Sequence, residues 1–134
     1  MPSSSRVAPC GTAEARSRLR TARAYLEVAA LVLDERDRDE YLNVSAVLAV
    51  LAASDSICCA RLRSRHRGDD HRGAADLLRR ATPDGPELAV TLLRLLDLKD
   101  EAHYGVMVVA ARKARDAHRW ATRRVERAAQ ETER

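Results

Sequence analysis

Hydrophobic residues recur at helical spacing along most of the chain. In the first such stretch they are three or four positions apart, which places them on one side of a helix that begins near residue 13. These residues are Leu19, Ala22, Leu26, Ala29 and Leu33. A second stretch, 41–64, is apolar on nearly every helical face over 44–53, which is typical of a helix surrounded by others. The charged segment 34–40 separates the two predicted helices.

Three further helices are predicted in the second half of the chain. A short one over 71–80 has its apolar residues on one side, and the segment 81–86, with two prolines and a glycine, ends it. The fourth covers 86–96, a joint or a helix start falls within 97–105, and a long fifth helix covers 106–131. The pattern thus predicts an all-α fold, an antiparallel bundle of four long helices plus one short helix.

Length and composition fit one domain of this class. Of the 134 residues, 46% are hydrophobic and 33% charged, which is enough apolar material to form a core and argues against disorder. Four prolines, five glycines and few aromatic residues argue against a β-sandwich or barrel. We expect residues 1–12, with two prolines and a serine run, to form a flexible tail, and residues 13–131 to form the domain.

The chain is basic, with 24 Lys and Arg residues against 20 acidic ones and a net charge of +4. Only Lys99 and Lys113 among the 24 are lysines. This balance permits a nucleic-acid partner without requiring one, because high arginine content also follows from GC-rich coding sequence. The run from Arg61 to Arg67 follows the apolar part of the second helix, and we expect it to leave the core.

The three cysteines predict no disulfide framework. Cys10 stands alone, whereas Cys58 and Cys59 are adjacent and would point about 100° apart on a helix. We therefore expect buried, unpaired cysteines and a reducing cytoplasm. No zinc-ligand spacing occurs, and we expect no metal or cofactor. The N-terminus lacks the apolar core of a secretory signal, and polar residues such as Asp55 interrupt the longest apolar run, so no membrane span is predicted.

Two polar clusters in the first half of the chain are candidate pocket residues. Asp55 lies in the most apolar helix, with Cys59 one turn further on the same face. A buried carboxylate needs a partner, and an Arg, Lys, His or backbone donor would serve, so structural pairing and a functional role are both open. His71 follows Asp69 and Asp70 at a predicted helix start, where ordinary capping and a position aimed into the bundle are both open.

A third cluster precedes the last helix. Lys99, His103 and Tyr104 lie within six residues, beside two carboxylates, where the apolar pattern weakens. Histidine is the usual proton-transfer group near neutral pH, which makes this cluster a candidate catalytic site. A packed, hydrogen-bonded histidine is the competing interpretation.

The chain resembles the HEPN superfamily of small helical bundles, found in prokaryotic toxins, defence systems and RNA-processing proteins. The resemblance rests on the order of the helices and on Ala102-His103-Tyr104 just before a long terminal helix, and it extends over residues 13–128. Segments 53–58, 68–71 with the downstream leucines at 77 and 78, and 98–105 resemble a compact actinobacterial group within it.

The resemblance implies a metal-independent ribonuclease site formed across a homodimer. In active members an arginine precedes the histidine by four to six intervening residues and stabilises the phosphorane, while the histidine transfers protons. His103 matches that histidine, but the arginine positions hold Leu96, Asp97 and Leu98. Lys99 is a nearby cation, and lysine lacks the bidentate fork of arginine.

Three hypotheses follow for function. The first is a HEPN-like, RNA-associated cytoplasmic homodimer with a degenerate or altered ribonuclease site, in a defence, toxin–antitoxin or RNA-related system, with His103, Lys99 and Tyr104 as catalytic candidates. The second is a non-enzymatic dimeric adaptor that binds a protein partner. The third is a small-molecule or nucleotide pocket lined by these residues together with Asp55, Cys59 and His71. Enzymatic activity stays open, and a non-enzymatic role is favoured.

Overall fold

Five helices and one small sheet make up the part of the protein that the structure describes. The computed structural model describes residues 7–33, 39–67, 71–104 and 111–133, with side chains at 7–31, 45–67, 71–97 and 115–133. In chain order the elements are β1 (Val7–Pro9), α1 (Thr12–Leu33), α2 (Asp39–Leu62), β2 (Ser64–His66), α3 (Arg72–Arg79), α4 (Gly85–Tyr104) and α5 (Ala111–Thr132). The predicted helical class is confirmed at this level, with a small sheet in addition.

Helix α2 is the centre of the core. It packs against α1, α3, α4 and α5, and most of its described side chains are buried. The stretch Ser45–Leu62 is long and apolar enough to cross a membrane by length and composition, but 72% of it is buried inside the fold. We therefore assign it as the core helix of the domain, in agreement with its all-round apolar pattern.

A buried polar contact joins α2 to the two helices beside it. The Ser56 hydroxyl donates a 2.7 Å hydrogen bond to the backbone carbonyl of Ala15 in α1. Its oxygen also lies 2.7 Å from the Thr132 hydroxyl at the end of α5. Since a buried polar atom without a partner destabilises the fold, this contact fixes how the three helices align.

Helix α4 is longer than predicted. The backbone stays helical as far as Tyr104, so the joint expected within 97–105 does not fall before that residue, and Gly105 lies outside the described residues. The reason is local, since the chain contains neither glycine nor proline between Pro86 and Gly105. The weakened apolar pattern over 97–104 therefore does not mark a break in the helix.

The two short strands were not predicted. Strand β1 pairs antiparallel with β2, and Val7 stands opposite His66, Ala8 opposite Arg65. The expectation of a flexible tail over residues 1–12 therefore needs correction from Val7 onward, and the second helix ends at Leu62 rather than at residue 64. The pairing depends on contact between segments about 57 positions apart, which local periodicity does not report.

Candidate nucleic-acid interface

The arginine-rich segment 61–67 forms the end of α2 and the whole of β2. Helix α2 ends where Arg63 adopts a left-handed φ of 58°. The residue that ends a helix in this conformation is usually glycine or asparagine. The Arg63 carbonyl then accepts a 3.0 Å hydrogen bond from the Cys10 N–H. The chain continues as an extended strand, in which successive side chains point to opposite faces.

The arginines of this segment differ in what they contact. Arg63 and Arg67, just outside the two ends of β2, are exposed, and neither forms an ion pair within the described part of the chain. Arg61 is also exposed, but its Nη1 lies 3.5 Å from the buried Glu131 carboxylate. Arg65 is half-buried and faces the Asp55 carboxylate. Two cations of the segment are therefore available to an external anion.

Asp55 pairs with a residue of α1. Its Oδ2 lies 3.1 Å from Nη2 of Arg18, and its side chain is only 14% exposed. Burial raises the pKa of Asp55, and the positive charges of Arg18, Arg65 and His66 counteract part of this rise. The prediction that Asp55 finds a cationic partner is confirmed, and this pair joins α1 to α2.

The imidazole of His66 lies against the backbone of α3 at Gly73. A Cβ atom built on Gly73 would lie 2.4 Å from Cε1 of His66, so only glycine leaves room for the ring there. Nε2 of His66 is buried without a hydrogen-bond partner among the described residues, as is Nε of Arg18. This close approach positions β2 against α3.

Cys10 and Cys59 form a disulfide bond. The prediction of unpaired cysteines was therefore wrong for these two residues, and Cys59 offers no thiol to a pocket. The fold brings residue 10 to the end of α2, where both cysteines are buried beside Ala15. Only Cys58 is a free, buried cysteine, and burial together with the Asp55 charge raises its pKa to about 12.

Among the predicted pocket residues, the described contacts join Asp55 and Cys59 to residues near the start of the chain. The partner of Asp55 is Arg18 in the N-terminal half of α1, and the partner of Cys59 is Cys10, which lies between β1 and α1. His71 is half-buried at the start of α3 and makes no side-chain capping bond. No described hydrogen bond or ion pair joins it to Asp55. The side chains of Lys99, His103 and Tyr104 lie outside the described residues, although their backbone belongs to α4.

Sequence reasoning missed the roles of Arg18, Cys10 and His66. The arginine run 61–67 was visible, but its pattern indicated only that the helix leaves the core. Nothing in the spacing of the cysteines pointed to a 49-residue separation between bonded partners. Among 24 basic residues, no local signal distinguished Arg18 as the partner of Asp55.

The described residues contain no group of three or more His, Cys, Asp or Glu side chains that could hold a metal ion. No protein-family model matches this chain, and no curated protein matches it in sequence. Function must therefore be argued from the site itself.

Proposed function

We propose that this protein is an RNA-associated helical domain that binds RNA phosphates through the arginine segment 61–67. The observation that supports the proposal is the exposure of Arg63 and Arg67 at the two ends of β2, without ion-pair partners in the described part of the chain. Exposed arginines release counterions from a nucleic-acid backbone when they bind it, so affinity should fall as salt rises.

The spacing of the two arginines suits contact with more than one phosphate. Arg63 and Arg67 are four positions apart in nearly extended chain, a span of at most about 13 Å. The chain has one tryptophan, three tyrosines and no phenylalanine, which leaves few rings on which bases could stack. We therefore propose binding that depends on charge and backbone geometry and only weakly on base sequence.

The proposal extends to a HEPN-like antiparallel bundle whose ribonuclease site is degenerate. His103 matches the histidine of that superfamily, but the motif arginine is missing and Lys99 lacks its planar fork. We expect the protein to bind RNA without cleaving it. The test is His103→Ala, which should leave both RNA binding and the lifetime of a labelled RNA unchanged. RNA cleavage that His103→Ala abolishes would overturn this part of the proposal.

RNA binding is best measured by fluorescence anisotropy with a labelled single-stranded RNA of mixed sequence. A titration between 50 and 200 mM salt (roughly the range over which phosphate contacts weaken most visibly) should show affinity falling steeply. The variant Arg63→Gln/Arg67→Gln should bind more weakly, and its slope of log affinity against log salt should be smaller by about two, one for each lost phosphate contact.

A matched control removes the same charge elsewhere. Arg94 on α4 and Arg115 on α5 are exposed, whereas β2 packs on β1, α2 and α3. Arg94→Gln/Arg115→Gln should retain most of the RNA affinity. Equal losses of RNA affinity in the two double variants would show that binding depends on the net charge of the protein and not on segment 61–67. Weak, salt-insensitive binding by the wild type would refute the proposal.

A homodimer is the second element of the proposal. Val28 and Leu31 are three positions apart on α1, and these residues are 44% and 74% exposed. Large apolar side chains in adjacent exposed positions favour contact with another apolar face, which would also suit a dimeric adaptor. Sedimentation should detect a dimer that Leu31→Lys converts to a monomer. An adaptor would keep its dimer but show no salt-dependent RNA binding.

We place the protein within a defence, toxin–antitoxin or RNA-related system, as the family resemblance implies. We keep the cytoplasm as its proposed location, although the unpaired cysteines on which that prediction rested include two that are bonded. Disulfides in that compartment are usually transient and redox-sensing. The Cys10–Cys59 bond therefore needs a role compatible with a reducing environment.

A further inference from the structure

The Cys10–Cys59 disulfide links the two segments that meet at Arg63, where α2 ends and the chain continues into β2. Cys10 directly follows β1, and its N–H donates to the carbonyl of Arg63. Cys59 lies in α2, one turn before that residue. The bond thus holds the strand that pairs with β2 against the helix from which β2 departs.

We infer that this disulfide is a redox switch for the arginine segment, an inference that rests on the proposed RNA binding. Without the covalent bond, three paired residues and the Cys10–Arg63 hydrogen bond would hold β1 to β2. A ladder of that length is marginal on its own. Arg63 also occupies a left-handed conformation that a residue with a side chain keeps only when its surroundings impose it.

The sequence offers the reduced chain an alternative structure. Segment 61–67 contains neither glycine nor proline, and arginine is a good helix former. Once β1 leaves, β2 is held only by the contact of His66 with Gly73 and by the charge of Arg65 beside Asp55, and α2 extends through this segment when these give way. Arg63 and Arg67 then lie on one helix face about 6 Å apart, instead of at the two ends of a strand. Two cations this close repel each other and reach one phosphate rather than two, so RNA binding weakens.

The chemistry requires a dithiol reductant. Its thiolate attacks Sγ of Cys10, because Cys10 is 9% exposed and Cys59 is completely buried. The S–S bond breaks, and Cys59 leaves as a thiolate that takes up a proton. The second thiol of the reductant attacks the mixed disulfide, releases the Cys10 thiol and becomes oxidised itself. Two electrons and two protons pass to the protein, and an oxidised dithiol partner reverses these steps.

Cys58 does not interfere with this switch. It neighbours Cys59 in sequence, but its thiol is buried, and burial raises its pKa to about 12. A thiol in that state stays protonated near neutral pH and does not attack the disulfide. The exchange is therefore confined to Cys10 and Cys59.

The experiment compares oxidised wild type with the same protein treated with dithiothreitol. Reduction should remove hydrogen-exchange protection from residues 7–11, increase the helical signal in far-ultraviolet circular dichroism, and reduce the salt slope of RNA binding by about one. Alkylation followed by mass spectrometry confirms that the bond has been reduced. Without reductant, Cys10→Ala should give the same three readouts as reduced wild type, and dithiothreitol should not change them. Cys58→Ala should respond to dithiothreitol as the wild type does.

The outcomes separate this inference from the proposed function. Absence of RNA binding by the oxidised wild type would overturn the proposed function, and hydrogen exchange would still decide whether reduction releases β1. Intact exchange protection and equal RNA affinity after reduction would overturn the switch, as would a bond that dithiothreitol cannot reduce in the folded protein. Should Cys10→Ala fail to fold, the comparison of oxidised and reduced wild type still decides the matter.

Discussion

Arg127 of α5 binds Asp84, in the turn before α4, with two hydrogen bonds. Its Nε donates to Oδ2 at 2.9 Å and its Nη2 to Oδ1 at 3.1 Å. The Thr82 hydroxyl donates to the same Oδ1 at 2.6 Å. This bidentate geometry is the strongest form of an arginine–carboxylate pair, and it attaches the α3–α4 corner to the last helix.

Asp84→Asn should reduce stability in a pH-dependent way. The hydrogen bonds from Arg127 lower the pKa of Asp84 to about 2, below its ordinary 3.8. The stability gained from ionised Asp84 is therefore present above about pH 4 and is lost as the pH falls towards 2. Because the Asp84 side chain is 37% exposed, solvent screening limits the effect to about 1 kcal/mol. Urea unfolding of the wild type and of Asp84→Asn at several pH values measures this difference in unfolding free energy.

The control for this pair is Asp97→Asn. Asp97 also accepts a hydrogen bond from an arginine, Arg72, at 3.0 Å, but its side chain is 68% exposed. We expect a change in unfolding free energy below about 0.5 kcal/mol. An equal loss in both variants at pH 7, or a loss in Asp84→Asn that persists at pH 2, would contradict the assignment.

The two partners of the Asp55–Arg18 pair should respond unequally to substitution. Arg18→Met leaves a nearly buried carboxylate without its closest cation and should lower the free energy of unfolding by about 2 kcal/mol or more. Asp55→Asn should change it by less than about 1 kcal/mol, because Arg18 is 34% exposed and retains access to water. Chemical denaturation at pH 7 compares the two.

The pH dependence of Arg18→Met tests the cause of this asymmetry. Burial raises the folded-state pKa of Asp55 above its ordinary value, so ionisation of this carboxyl opposes folding. Protonation at lower pH relieves the penalty, and the destabilisation of Arg18→Met should therefore be smaller at pH 4 than at pH 7. A loss of the same size at both pH values would show that lost packing, rather than charge, causes it.

Gly73→Ala should destabilise the protein through His66. The added methyl group would lie 2.4 Å from the imidazole, so the ring must move, at a cost of about 1 to 3 kcal/mol. In a His66→Ala background the same substitution should be neutral or stabilising by up to about 1 kcal/mol, since alanine favours a helix over glycine. A double-mutant cycle measures this coupling. Additive effects would exclude the contact as the cause.

The disulfide predicts both a labelling pattern and a stability change. Alkylation of the denatured, unreduced protein should modify only Cys58, and all three cysteines should react after reduction. Cys10→Ala should lower the free energy of unfolding by about 4 kcal/mol, the chain-entropy estimate for a loop closed over 49 residues. Three labels without reduction would refute the pairing.

The helices could be anticipated because the signal for each is local. Apolar residues three and four positions apart define one helical face wherever they occur, and α1 and α2 begin and end within about two residues of the predicted positions. The need of Asp55 for a cation could be anticipated for the same reason, since desolvation of a carboxylate depends on its helix being apolar. Which of the basic residues would pair with Asp55 could not be anticipated from the sequence.

Tertiary structure decided everything that joins distant segments. Arg18 meets Asp55, Cys10 bonds to Cys59, and β1 pairs with β2 because the fold brings the start of the chain to the end of α2. The same contacts make residues 64–66 a strand rather than a continuation of α2, against their local preference. Pairings over such separations depend on the packing of the whole domain, and the local sequence around each residue does not show which distant residue it contacts.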